Sequence, residues 1–89
     1  YYMNNKKITD YLIKKLNKIR KLNKKERLEI DKFNFISSGH VDSFELLKFN
    51  LEIEEKFKIS IKPKDTMKKN YGTIKGLSSM IEKKLINKS

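Results

Sequence analysis

Asp42-Ser43-Phe44-Glu45-Leu46-Leu47-Lys48-Phe49-Asn50-Leu51-Glu52-Ile53-Glu54-Glu55-Lys56-Phe57 is the stretch on which the fold turns. Phe49, Ile53 and Phe57 recur at i, i+4 and i+8, and Leu46 joins them three residues before Phe49. That spacing puts four large apolar side chains on one face of a helix. Phe44, Leu47 and Leu51 make a second apolar strip beside the first. Two strips exceed what a single core contact needs, so part of this surface is expected to face a partner. Gly39 is a loop residue, and Asp42 and Ser43 are helix-capping types. The helix therefore begins at the Asp42-Ser43 pair, with the Ser43 hydroxyl at its exposed N-terminal end. The first amides of a helix lack internal acceptors and its dipole favours negative charge there. A phosphate ester on Ser43 Oγ would sit in a favourable field. The plain alternative is that Asp42 or Ser43 is an N-cap and nothing more.

The register of the whole stretch weighs against that plain alternative. Asp42-Ser43-Phe44, then Leu47, Phe49, Leu51, Ile53, Glu54-Glu55-Lys56-Phe57, Ile59 and Ile61 resemble the acyl carrier protein family without a gap. In that family the serine of an Asp-Ser-Leu-type motif carries 4'-phosphopantetheine. The helix after it is the recognition helix, which ends in Glu-Glu-x-Phe followed by two spaced aliphatics. Gly39 stands four residues before Ser43, giving Ser-Gly-x-x-Asp-Ser. That spacing resembles the D-alanyl carrier proteins and carriers of specialised pathways more than fatty-acid carriers.

Composition sets the outer bounds. At 89 residues, 37% hydrophobic and 37% charged, the chain makes one small domain with a modest core. We expect a single carrier domain over residues 3–89, with Tyr1 and Tyr2 as a remnant ahead of a natural start at Met3. No cysteine is present, so there is no disulfide framework and no thiolate metal site. One histidine, His40, leaves little room for histidine-based metal or triad chemistry, and no metal ligand is assigned. No apolar run reaches membrane-spanning length, and a cytoplasmic, monomeric protein is the expectation. The formal net charge of +11 raises nucleic acid or an anionic surface as partners. Lysine, asparagine and isoleucine are abundant together, which also fits a background compositional bias.

The flanking segments read as a helical bundle. Ile8, Leu12, Leu16 and Ile19, with Tyr11 and Leu22 alongside, predict a first helix over 8–22. Its opposite side carries Lys14, Lys15, Lys18 and Lys21, read as a solvated face. Asn23 then opens a long loop pinned by Leu28, Phe33, Phe35 and Ile36. The spacing by two in that segment suits a strand, but no partner strand is evident. His40 reads as a polar loop residue, with positioning of a prosthetic arm as the functional alternative. Lys58 to Pro63 is expected to be extended, tucking in Ile59 and Ile61. One short helical turn is predicted over 65–70. Thr73 caps a last helix, 74–86, with Ile74, Leu77, Ile81 and Leu85 as its stripe and Gly76 as a weak point. The expected fold class is all-α: a four-helix acyl-carrier-like bundle of three main helices and one short one, with a long loop between the first two main helices.

The resemblance implies a discrete carrier and not an enzyme. A phosphopantetheinyl transferase would attach the arm from coenzyme A to Ser43, with Asp42 helping that enzyme place its magnesium. The arm's thiol would hold an acyl or aminoacyl thioester, loaded by a ligase and discharged by a downstream transferase. Partner docking would fall to Phe44, Glu45, Leu47, Lys48, Leu51 and Glu52. From Asp42 to Lys58 five acids face three lysines, so the central helix is net acidic within a basic chain. Such a helix suits basic partner patches and disfavours nucleic acid. Lys48 and Lys56 depart from the acids usual in the family, which points to a dedicated partner set. A small basic helical nucleic-acid-binding protein is the alternative. A carrier-like subunit that has lost its cargo is a third reading, against which the presence of Ser43 counts.

Overall fold

α1 (Asn5–Ile19) buries Ile8, Leu12 and Leu16 completely, as their spacing requires. The computed structural model describes residues 5–87; Tyr1, Tyr2 and the expected start at Met3 lie outside them. The helix starts earlier than predicted and stops at Ile19, before Leu22. Leu22 is still fully buried, because the chain turns to bring it in. Asn17 Oδ1 accepts from Leu22 N at 2.9 Å and from Arg27 Nη2 at 3.1 Å, and Arg27 Nε donates to Leu22 O at 3.2 Å.

The connection to the central helix is not an uninterrupted loop. α2 (Lys24–Leu28) is a short helix opened by a capping box: Asn23 Oδ1 accepts from Glu26 N, and Glu26 Oε1 accepts from Asn23 N, both at 2.8 Å. Its five residues bury nothing, and Leu28, expected in the core, is 75% exposed. Ile36 is exposed as well. Asn34 Oδ1 accepts from Ile36 N and Ser37 N, closing a turn that directs Ile36 outward. The segment is held instead by Phe35, fully buried, with Phe33 half-buried. Phe35 N donates to Gly72 O at 2.8 Å, and Asn34 pairs with Thr73 in an isolated antiparallel bridge. A Cβ on Gly72 would lie 2.4 Å from Asn34 Oδ1, so a side chain there would displace the Asn34 amide from the turn it closes.

α3 (Ser43–Phe57) buries Phe49, Ile53 and Phe57 and ends at Lys58, whose φ of 56° is left-handed. Ile59 and Ile61 tuck in, and Glu54 Oε2 accepts from Ile61 N at 2.7 Å. The minor helix, α4 (Pro63–Thr66), begins before the predicted 65–70. Pro63 occupies its first turn, where a missing N–H costs nothing. Asp65 is buried and accepts from Lys62 N at 2.9 Å and from Lys84 Nζ at 3.0 Å. Burial alone would raise its carboxyl, but the Lys62 amide and the Lys84 ammonium outweigh it and hold the group below the usual range.

α5 (Ile74–Asn87) is capped as expected, Gly76 N donating to Thr73 Oγ1 at 3.0 Å. Ile74, Leu77 and Ile81 are fully buried. Gly76 is more than a weak point: a Cβ there would fall 2.0 Å from Asn70 O. Tyr71 is buried and donates its hydroxyl to Asn50 Oδ1 on α3. The fold is all-α, with three long helices and two short ones among the described residues. α1 and α5 pack closest together. α3 completes the core through edge-to-face pairs of Phe35 with Phe49 and Tyr11 with Phe57.

Candidate functional site at the head of the central helix

The segment leading into α3 is fixed at each step. Gly39 has φ +81°, a conformation that other residues rarely adopt. His40 follows it and is buried, contrary to its reading as a plain loop residue. Its Nε2 lies 2.9 Å from Leu16 O, its ring stacks edge-on against Phe33 at 5.4 Å, and its carbonyl accepts from Arg20 Nε at 3.3 Å. His40 is thus a bolt between the α3 approach and the end of α1. Val41 is buried next to it, with its N–H on Phe35 O at 3.0 Å.

Asp42 is the N-cap. Its Oδ1 accepts from Glu45 N at 2.7 Å, and Glu45 Oε1 accepts from Asp42 N at 3.0 Å. Ser43 is the first helical residue and is exposed. Its hydroxyl has no hydrogen-bond partner among the described residues, because the capping is done by its neighbours. An accessible, uncommitted hydroxyl on the first turn of a 15-residue helix has the room that a phosphate ester needs; the helix end draws negative charge, and the Asp42 and Glu45 carboxylates already take part of that field.

The proposed docking residues fall into two groups. Phe44, Leu47 and Leu51 lie 78%, 60% and 57% exposed on one face, with Lys48 exposed among them. The acids fare differently. Glu45 Oε1 lies 3.8 Å from Arg20 Nη2, and Glu52 Oε1 lies 3.0 Å from Lys15 Nζ. Lys15 therefore does not belong to a fully solvated lysine face, as expected from sequence; it reaches across to α3. With Asp42 capping and Glu54 bonded to Ile61 N, Glu55 alone of the five acids has no polar partner among the described residues. Two of the acids counted along the helix are thus paired with Lys15 and Arg20, and two more keep their charge while accepting backbone N–H groups.

Between α1 and α3 runs a groove of about 370 Å³ whose walls include Lys15, Lys18, Glu45, Lys48 and Glu52. A larger cavity, about 600 Å³, is lined by Asp31 and by residues of α4, α5 and the turn between them, and by none of α3. Among the described residues no group of three or more His, Cys, Asp or Glu side chains could hold a metal ion, and no helix is long and apolar enough to cross a membrane. No family model, curated protein or solved structure matches this chain.

Proposed function

We propose that this domain is a carrier whose Ser43 is esterified with 4'-phosphopantetheine. The observation that carries this reading is the state of Ser43: exposed, uncommitted, and first in a capped helix whose next turns offer an unburied apolar strip. A transferase would join Ser43 Oγ to the phosphopantetheinyl phosphorus of coenzyme A. The adenosine nucleotide leaves, and the hydroxyl proton passes to that enzyme. The bound arm supplies a thiol for acyl or aminoacyl thioester chemistry, which a cysteine-free chain lacks. This chain's own part is to present the serine. Gly39, His40 and Val41 fix the approach, the Asp42–Glu45 box holds the first turn, and the Asp42 carboxylate, next to Ser43 in the chain, would offer a hard oxygen ligand to the transferase's magnesium.

Intact-mass spectrometry after incubation with coenzyme A, magnesium and a broad-specificity transferase tests the reading. Native protein should gain one phosphopantetheinyl group and Ser43→Ala none, while both melt within a degree or two, since Asp42 and not Ser43 supplies the cap. No gain with several transferases would remove the carrier reading. The second reading, nucleic-acid binding, rests on the exposed run of Lys14, Lys18, Lys21, Lys24 and Lys25. Anisotropy of labelled duplex DNA with a steep salt dependence would favour it.

A further inference from the structure

Lys48 sits inside the apolar strip, and the carboxylates nearest it are already paired. Phe44, Leu47 and Leu51 follow each other at i, i+3 and i+7, and Lys48, at i+4 from Phe44, lies between them. A surface that covers those three side chains also comes over the Lys48 stem, so its ammonium must meet a counter-charge in the contact or at its rim. A buried ammonium without a counter-charge is strongly unfavourable. Its own domain does not supply one: Glu45 is engaged by Arg20 and by the Asp42 backbone, and Glu52 by Lys15. Lys18 lines the same groove and is exposed. Four cations, Lys15, Lys18, Arg20 and Lys48, thus stand around two carboxylates that are both spent.

We infer that the strip beside Ser43 docks a protein partner whose contact surface is an apolar pocket edged by carboxylates, with one carboxylate opposite Lys48. The inference deepens the carrier reading and rests on it for one point, that the partner comes to act on what Ser43 bears. The charge relation is the reverse of the one expected from the helix sequence alone. There the five acids call for a basic patch; in the folded domain that patch would meet Lys48, Lys18 and the cations covering Glu45 and Glu52. Nucleic acid is the other polyanion that suits lysines, but a stacked duplex offers no apolar pocket that takes Phe44, Leu47 and Leu51 together. A protein pocket satisfies both halves of the surface.

The test uses two amphipathic helical peptides with the same leucine face, one edged with glutamate and one with lysine. They are titrated into the full chain, with backbone amide NMR shifts as the readout. At low salt the glutamate-edged peptide should bind about tenfold tighter, with shifts centred on Phe44, Leu47, Lys48 and Leu51, and the preference should shrink as salt rises. Leu47→Ser with Leu51→Ser should abolish both complexes, and Lys18→Glu with Lys48→Glu should reverse the preference, circular dichroism confirming the helical fold of each variant. Glu45→Gln with Glu52→Gln should leave glutamate-peptide binding intact or stronger. Equal binding of the two peptides, tighter binding of the lysine-edged one, or shifts away from α3 would overturn the inference. So would displacement of the peptide by duplex DNA at matched charge, or self-association through the strip in sedimentation. Ser43→Ala should bind as the native chain does. If the peptide preference holds but no transferase modifies Ser43, the carrier reading alone fails; if modification occurs without the preference, the docking inference alone fails.

Discussion

Gly76 shows how a single residue can reverse the sign of a helix rule. In an exposed helix interior, replacing glycine with alanine stabilises by about 0.8–1 kcal/mol. Here the added methyl would fall 2.0 Å from Asn70 O and 2.6 Å from Asn70 Cβ. The turn and the first turn of α5 would have to separate. Gly76→Ala should therefore destabilise by about 1–3 kcal/mol, as overpacking does, and chemical denaturation would measure it; a rise in stability would show that the 70–73 turn yields freely. Nothing in the sequence announces this, since the clash depends on how the turn closes. His40 is hidden for a similar reason: its acceptor, Leu16 O, is 24 residues away along the chain. Ser43 was legible because its signals are local, a capping pair followed at once by a periodic apolar run.

Among the elements, α4 is the smallest and depends most on one side chain. Asp65 caps it from inside and ties it to Lys84 of α5. Asp65→Asn keeps the shape but drops the charge, and should cost about 1–3 kcal/mol at neutral pH. The sign with pH follows from the lowered carboxyl. In the unfolded chain the group titrates near 3.8, in the folded one below that. Its contribution is therefore complete above about pH 4 and fades as the pH falls through the folded value. Melts of the two proteins from pH 7 down to pH 2 should converge in acid; a gap that stays constant would mean that the charge is not what matters. α1, α3 and α5 were readable because their stripes hold the helical period over several turns. α2 has no stripe, and only the Asn23-to-Glu26 capping spacing betrays it. Leu28 and Ile36 misled because apolar identity says nothing of burial where backbone turns set the direction.

At the scale of the whole molecule, charge governs. A net +11 on 89 residues repels itself in the compact state, and the ion pairs described are few and partly solvated. Raising sodium chloride from low to moderate concentration should therefore raise the melting temperature; a steady fall would mean that the internal pairs outweigh the repulsion. Which charges pair was the least legible feature of all, since Lys15 meets Glu52 and Arg20 meets Glu45 only when α1 lies along α3. The close packing of α1 against α5 has a consequence in time. A chain is synthesised from its N-terminus at about 5–20 residues per second, and α1 emerges well before the helix that covers its stripe. Until α5 has been made, α1 lacks the cover of its stripe, and the contacts from Leu16 O and Arg20 that hold the approach to Ser43 rest on an unfinished scaffold. On the carrier reading proposed above, translation would act as a timer on the serine: released chains truncated before Ile74 should remain unmodified where the full chain accepts the arm, and equal labelling of both would show that the enzyme reads the local segment alone.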